Sequence, residues 1–306
     1  MTPTDLPECL CVGSIILDDI VYPDGRTRME VLGGGGVHTA AGMRVWGARP
    51  GLAACIGPDL SPAVMARLER DFDLRAAVRL DLPQARAWQL FEWDGRRTEI
   101  FRVEQPEPFL RGPYPEDIPT LFRAVPALTV LRDAAEFRRW RQAFPKAVSL
   151  WEPEQAFMTA ANRQAFRAAL PQADIVSPNL LEASLLYGLA DPAALVRAML
   201  DDGAPMVALR LGEAGSLLGR AGQAALVAIP AVPVPQVVDQ TGAGNAFCGA
   251  FLLGWLRTHD LRVAGCWGAV AASFTLEQVG VPDLLPEAIA AERDARLAWA
   301  MARAGA

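Results

Sequence analysis

Short apolar segments alternate with helix-like stretches along most of the chain. Strand candidates lie at residues 128–131, 147–150, 174–176 and 206–211, and each is followed by a stretch of helical character. Alternation of this kind indicates a parallel sheet with helices on both faces. The sequence therefore predicts an α/β fold.

The length and the apolar content favour one large core. A chain of 306 residues with 52% hydrophobic residues can bury such a core, so we predict a single domain over residues 1–306. Buried strands are predicted at Cys9–Leu17 and Gly51–Ile56. Residues 86–103 read as two alternating strands joined by the turn dipeptide Asp94-Gly95, which predicts a β-flap beside the sheet.

Charge and cysteine usage limit the partners and the compartment. The formal net charge of -6 disfavours nucleic acid and anionic membranes as partners. The apolar run near the N-terminus is too short to span a bilayer, so we expect neither a membrane segment nor secretion. Five scattered cysteines set among apolar residues suit buried, reduced thiols in the cytoplasm, and a zinc site is not expected.

A glycine loop precedes an apolar helix in the final third. Gly242, Ala243 and Gly244 lie between an extended segment and a helix whose apolar face repeats every four residues. Unpaired N–H groups at such a helix N-terminus favour an anion, and glycines let it approach the main chain. The loop predicts a phosphoryl site, although tight packing alone would also explain the three letters.

The letters around this loop resemble the second signature of the PfkB, or ribokinase-like, carbohydrate kinases. The pattern DxTGAGxxFxGxF is present from Asp239 onward. In that family the loop forms the anion hole and its final aspartate is the catalytic base, whose place is taken here by Asn245. The resemblance also assigns Asp239 and Thr241 to a monovalent cation such as K⁺.

Two further segments resemble the nucleotide side of that family. Asn179 and Glu182 match an xPNxxE element, which implies that they organise the triphosphate of ATP and its Mg²⁺, the latter through water. The same letters also fit a helix N-cap with an acidic first turn. Gly212 and Gly215 match a turn that lines the nucleotide, where Arg210 replaces a threonine.

The N-terminal third resembles the substrate side. Asp18 follows a Gly-Ser pair as in the family's first strand, and Gly34 and His38 lie in the glycine-rich first signature, with His38 at an asparagine position. The resemblance implies that these three residues contact the substrate. From the residues alone, His38 could also cap a helix and Asp18 could be a solvated strand end.

The family resemblance also implies an architecture. It predicts a doubly wound, mostly parallel sheet and a small β-lid formed by about residues 16–32 and 86–103, through which such kinases often form homodimers. The asparagine variant of the loop, together with the lid strand, resembles a divergent branch that includes fungal Mak32-like proteins.

The function that follows is ATP-dependent transfer of a phosphoryl group to a hydroxyl of a sugar or nucleoside-like substrate. An asparagine amide cannot accept the proton of that hydroxyl, so Asn245 predicts impaired activity unless another base acts. Asp239 and Asp18 are both open as substitutes. The alternative is a non-catalytic relative that binds nucleotide or sugar in a regulatory or scaffolding role.

Overall fold

A computed structural model describes residues 6–93 and 97–305 of the chain. Its fourteen strands within these residues are β1 (Cys9–Val12), β2 (Ile16–Val21), β3 (Thr27–Gly33), β4 (Gly51–Ala53), β5 (Cys55–Ile56), β6 (Val78–Arg79), β7 (Arg86–Phe91), β8 (Arg97–Phe101), β9 (Ala127–Arg132), β10 (Val148–Pro153), β11 (Ile175–Val176), β12 (Met206–Arg210), β13 (Ser216–Arg220) and β14 (Val227–Ile229). The longer helices are α1 (Gly35–Arg44), α2 (Pro62–Asp71), α3 (Glu107–Arg111), α4 (Ala134–Ala143), α5 (Arg163–Ala169), α6 (Leu180–Tyr187), α7 (Pro192–Asp201), α8 (Ala243–Thr258), α9 (Leu261–Leu276) and α10 (Ala290–Met301).

Eight strands form the main sheet, in the order β14-β13-β12-β11-β10-β9-β1-β4. The six strands from β12 to β4 run parallel to their neighbours, whereas β13 and β14 are antiparallel additions at one edge. Helical crossovers make parallel pairing possible, because each strand must return to the same end of the sheet. The predicted α/β class with a mostly parallel sheet is confirmed.

Helices cover both faces of this sheet. Cys9 and Cys11 of β1 point into a core shared with α1, α8, α9 and α10, while Leu10 and Val12 point into a second core with α4, α5, α6 and α7. Successive side chains of a strand face opposite sides, so a strand covered on both faces is apolar throughout. This burial explains the continuous apolar runs in the sequence.

A separate four-stranded sheet lies in the order β3-β2-β7-β8. Its strands fall within residues 16–33 and 86–101, the two stretches in which the sequence predicts the β-lid. β2 pairs antiparallel with β3 and parallel with β7, and β7 pairs antiparallel with β8. The predicted Asp94-Gly95 turn lies outside the described residues.

Two predicted strands are wrong in their extent. Residues 9–17 form two strands rather than one, because the chain leaves the main sheet after Val12 and enters the small sheet at Ile16. Residues 51–56 are likewise divided between β4 of the main sheet and β5, which pairs with β6. Hydrophobic runs report burial, and they do not show where a buried chain changes sheets.

No single helix among the described residues is long and apolar enough to cross a membrane. Helices α6 and α7 pass the same length and composition criteria only as a pair, and they meet at a bend of 63°.

Candidate active site

The carboxyl ends of four neighbouring strands meet at one edge of the main sheet. β9, β10, β11 and β12 lie side by side, and residues at or just after their ends line a cleft of about 1160 Å³. Ligands of open α/β sheets bind outside the carboxyl ends of the strands, where the loops diverge. The N-terminus of α8 lines the same cleft.

The glycine loop forms the start of α8. Gly242 is the N-cap residue and adopts a left-handed conformation, with φ of 77°. A Cβ at this position would collide with the ring of His38, so the loop can approach that ring only with glycine. The first turn of α8 lines the cleft, and N–H groups of a first turn that lack partners within the helix favour an anion.

Arg210 lies directly against the main chain of this loop. It ends β12, and a Cβ at Gly244 would collide with its Nη1 atom. Nη2 donates a hydrogen bond of 2.9 Å to the main-chain oxygen of Ser177. The guanidinium therefore adds a fixed positive charge beneath the predicted phosphoryl site.

Glu152 is the partner of Arg210, and the sequence reading missed it. Its Oε1 lies 2.8 Å from Nη1 of Arg210, and its Oε2 accepts a hydrogen bond of 3.0 Å from Nδ2 of Asn245. Only 5% of Glu152 is exposed. Burial opposes the charge on Arg210, but the carboxylates of Glu152 and Glu182 outweigh it and raise the pKa of the guanidinium.

A signal for Glu152 was present in the sequence. The segment Trp151-Glu152-Pro153-Glu154 follows an apolar run, and the predicted strand stopped at Leu150, whereas β10 continues to Pro153. A carboxylate at the carboxyl end of a parallel strand lies where ligands bind. Glu154 also lines the cleft, and burial raises the pKa of its carboxyl against the opposing effect of Arg132.

Asn179 and Glu182 form a reciprocal capping box at the start of α6. The Asn179 side chain accepts from the Glu182 N–H at 2.8 Å, and Glu182 Oε2 accepts from the Asn179 N–H at 2.8 Å. Both side chains also line the cleft. Burial raises the pKa of Glu182, while Arg210, whose Nη2 is 3.8 Å away, opposes this shift. The helix cap and the predicted phosphate contacts are thus the same two residues.

The other predicted nucleotide residues lie on the same cleft. Gly212 and Gly215 belong to the tight turn between β12 and β13, and both contribute to the cleft lining. Arg210 immediately precedes this turn, so one short segment supplies a charge to the loop and a wall to the cleft.

The predicted substrate residues cluster beside the cleft. Ser14 is one of the described residues that line the cleft, whereas Asp18, Gly34 and His38 do not line it. Asp18 is buried and accepts a hydrogen bond of 2.8 Å from Nε2 of Gln89 on the small sheet. Gly34 precedes α1, next to the loop that carries Ser14.

His38 is packed under the glycine loop. It is 1% exposed, and neither ring nitrogen has a hydrogen-bond partner among the described residues. Burial lowers the pKa of His38 to about 4, against the opposing influence of Asp239, so the ring is neutral at neutral pH.

Asp239 and Thr241 lie just before the loop, outside the cleft lining. The carboxylate of Asp239 accepts from the main-chain N–H of Thr241 at 2.9 Å and from that of Gly280 at 3.3 Å. Asp239 therefore ties the loop to the segment after α9.

A profile of the family described as pfkB family carbohydrate kinase matches residues 129–288. This range holds Glu152, the capping box, the nucleotide turn and the glycine loop. The chain belongs to the pfkB family. The predicted family membership is confirmed.

Proteins with sequence similarity to this chain include a kinase of assigned activity. A cytidine kinase of Thermococcus kodakarensis is 25% identical over 89% of this chain and 97% of its own length. An uncharacterised protein of Schizosaccharomyces pombe is 25% identical over 92% of this chain and 87% of its own. Protein MAK32 of Saccharomyces cerevisiae is 29% identical over 45% of this chain and 43% of its own. The family and these relatives indicate a sugar or nucleoside kinase.

Solved structures of pfkB-family kinases share the fold. The nucleoside kinase of Methanocaldococcus jannaschii superimposes with a TM-score of 0.74 at 18% identity, covering 95% of this chain and 98% of that one. A ribokinase-like protein of Escherichia coli, solved with ATP and Mg²⁺, gives a TM-score of 0.78 at 17% identity, covering 96% of this chain and all of that one. The doubly wound ribokinase-like fold is thereby confirmed.

Proposed function

We propose that this protein is an ATP-dependent kinase that transfers the γ-phosphoryl group to a hydroxyl of a sugar or nucleoside-like substrate. The observation that carries the proposal is the glycine loop at the start of α8, which has the Arg210 guanidinium packed against it and opens onto the cleft. A helix N-terminus and a buried cation together stabilise the negative charge that phosphoryl transfer develops.

Each side of the cleft has a separate task in this proposal. The N–H groups of residues 242–245 hold the phosphoryl oxygens, and Asn179 with the turn at Gly212–Gly215 positions the nucleotide. Asp18, Gly34 and His38 bind or support the acceptor beside the small sheet. Because the transition state is loose, positioning and charge supply most of the rate increase.

The carboxylates present fit a magnesium ion that arrives with the nucleotide. The described residues contain no cluster of three or more His, Cys, Asp or Glu able to hold a metal alone. Mg²⁺ commonly keeps several waters and binds through one or two carboxylates and the substrate phosphates. Glu182 lines the cleft and would hold such an ion through water, and the ion would neutralise phosphate charge. Asp239 and Thr241 are the proposed residues for a monovalent cation.

The surroundings of the site suit a reducing compartment and a second subunit. All five cysteines are free and buried, as expected for a protein of the cytoplasm.

Met29 and Ile100 leave about half of their surface exposed on the edge strands of the small sheet. We propose that this sheet is the lid and the contact of a homodimer.

The test is ADP release in the presence of Mg²⁺ and K⁺ with a panel of nucleosides, pentoses, hexoses and ketodeoxy sugar acids. We expect at least one acceptor to raise ADP release well above the rate without acceptor. Gly244→Ala should lower this rate, because the new methyl group would collide with Nη1 of Arg210 and displace the guanidinium from the loop. Background rates with every acceptor would overturn the proposal.

The alternative function is a non-catalytic protein that binds nucleotide or sugar and regulates or scaffolds others. It is favoured by Asn245, because an amide replaces the carboxylate expected at the end of the loop. Calorimetric binding of ATP without turnover of any acceptor would support this alternative, and turnover would exclude it.

A further inference from the structure

The cleft contains a carboxylate next to the end of the glycine loop, although it is not the one expected there. Glu152 reaches it from β10, 93 residues before Asn245 in the chain, and its Oε2 is 3.0 Å from the Asn245 amide nitrogen. A hydroxyl that lies between Asn245 and the end of β10 can therefore come within hydrogen-bond reach of Glu152. We propose that Glu152 is the general base of the phosphoryl transfer, an inference that rests on the proposed kinase function.

Two donors hold the Glu152 carboxylate in one orientation. Arg210 occupies Oε1 at 2.8 Å, and the Asn245 amide occupies one acceptor position of Oε2. Each carboxylate oxygen can accept two hydrogen bonds, so the contact with Asn245 does not by itself prevent Oε2 from accepting from a substrate hydroxyl. A buried carboxylate is kept charged by an adjacent cation, and a base must be charged to accept a proton. Arg210 and Asn245 are positioning residues in this arrangement.

Asn245 is explained by the presence of Glu152. An aspartate at position 245 would place a second carboxylate about 3 Å from Oε2, and two carboxylates at that separation do not both ionise. An asparagine of the same shape instead donates a hydrogen bond to Glu152. The amide is therefore the residue that a carboxylate on β10 requires.

The other candidate bases are engaged elsewhere. Both oxygens of Asp239 accept main-chain N–H groups that fix the loop, and Asp239 does not line the cleft among the described residues. Asp18 accepts from Gln89 of the small sheet. Glu154 lines the cleft two residues after Glu152, but the cations that act on its carboxyl are Arg132 and Arg111 and not Arg210.

In the proposed step, the substrate hydroxyl gives its proton to Oε2 of Glu152, and its oxygen forms a bond to the γ-phosphorus of the nucleoside triphosphate. The bond between that phosphorus and the β,γ-bridging oxygen breaks, and the diphosphate leaves with the electron pair. Glu152 releases the proton to solvent once the products have left.

The experiment compares kcat as a function of pH for the wild-type protein and four variants, with the best acceptor of the panel. The groups facing Glu152 are Arg210 from β12, Cys248 from α8 and, across Arg210, Glu182 at the start of α6. We expect Glu152→Gln to lower kcat by about 10²- to 10⁴-fold and to remove the fall of kcat at acid pH. ATP affinity, measured by calorimetry, should change by less than about threefold, because a base contributes little to ground-state binding.

The second variant separates a lost base from a damaged fold. We expect Asn245→Asp alone to lower kcat, whereas Asn245→Asp combined with Glu152→Gln should recover at least tenfold over Glu152→Gln by exchanging the two groups. Glu154→Gln serves as the comparison within the same cleft and should retain the acid limb of the profile. Melting temperatures of all variants report on folding.

Distinct outcomes overturn the two proposals. If the wild type turns over no acceptor, the kinase function fails and the base fails with it. If the wild type is active but Glu152→Gln keeps kcat within about threefold, or Glu154→Gln loses the acid limb instead, only the base assignment fails. An increase of kcat in Asn245→Asp alone would also overturn it.

Discussion

The two walls of the cleft are built on different principles. On one wall, the start of α8 presents four consecutive residues, Gly242 to Asn245. On the other wall, the ends of β10, β11 and β12 bring together Glu152, Asn179 and Arg210, which are far apart in sequence. The first wall is a local motif, and the second depends on strand register across the sheet.

The two walls also differ in the contacts that their residues make. The loop wall retains the family's glycines, and substitution there is limited by contact with His38 and Arg210. On the strand wall, Arg210 contacts Glu152, whose carboxylate accepts from Asn245. Under the proposed assignment, the carboxylate that acts on the substrate hydroxyl comes from β10 and not from the loop.

The largest effect is expected on the strand wall, from Arg210→Met. Glu152 would remain buried without its cation, which should lower the free energy of unfolding by about 3–5 kcal/mol. Urea denaturation measures this change. Arg257→Met is the matched control, because its pair with Glu8 is far more exposed and should contribute at most about 1 kcal/mol.

Equal losses of unfolding free energy in these two variants would show that the pair of Arg210 and Glu152 is no more important for stability than an exposed pair. The double variant Arg210→Met/Glu152→Met sharpens the test. It should recover most of the stability lost in Arg210→Met, because it removes the uncompensated charge, while kinase activity stays low.

An intermediate effect is expected beneath the loop wall, from His38. The pKa of His38 is about 4 in the folded protein against an ordinary value of 6.5, so the unfolded chain binds the proton first as pH falls. Stability is thus fully present above pH 6.5 and is lost as pH falls towards 4, by up to about 1.4 kcal/mol per pH unit. Thermal or urea unfolding across this range should show the loss.

The pH dependence of unfolding is compared with that of His38→Gln, which should lack this contribution to the acid sensitivity. His259→Gln, at an exposed position after α8, is the control. The difference between wild type and His38→Gln is the relevant quantity, because carboxylates titrate in the same range. A difference that does not vary with pH would show that the ring under the loop is not held neutral.

The smallest effect on stability is expected at the capping box. Asn179→Ala should lower the free energy of unfolding by about 1 kcal/mol, because α6 loses its N-cap. Asp191→Ala removes the corresponding cap of α7, which accepts from Ala194 at 2.7 Å, and should cost a similar amount. Only Asn179→Ala should also weaken ATP binding in calorimetry. Equal ATP affinities in the two variants would show that Asn179 has a structural role alone.

The sequence predicts the loop wall well and the strand wall poorly. Gly242 to Asn245 form a contiguous pattern, so the helix start and the anion site can be read from neighbouring letters. Glu152 and Arg210 meet only because β11 lies between β10 and β12 in the sheet, and hydrophobic runs do not fix that order. The switch of residues 9–17 from one sheet to another was missed for the same reason, since burial is continuous across it.

The ion pair between Arg210 and Glu152 also affects the charge that the cleft presents to a highly charged ligand. Glu152 and Glu182 contribute two negative charges and Arg210 one positive charge, so these three residues leave one net negative charge. An aspartate at position 245 with a threonine at position 210 would leave two, even without Glu152. The arginine thus offsets the extra carboxylate, and these three residues would repel a triphosphate less than that alternative set would.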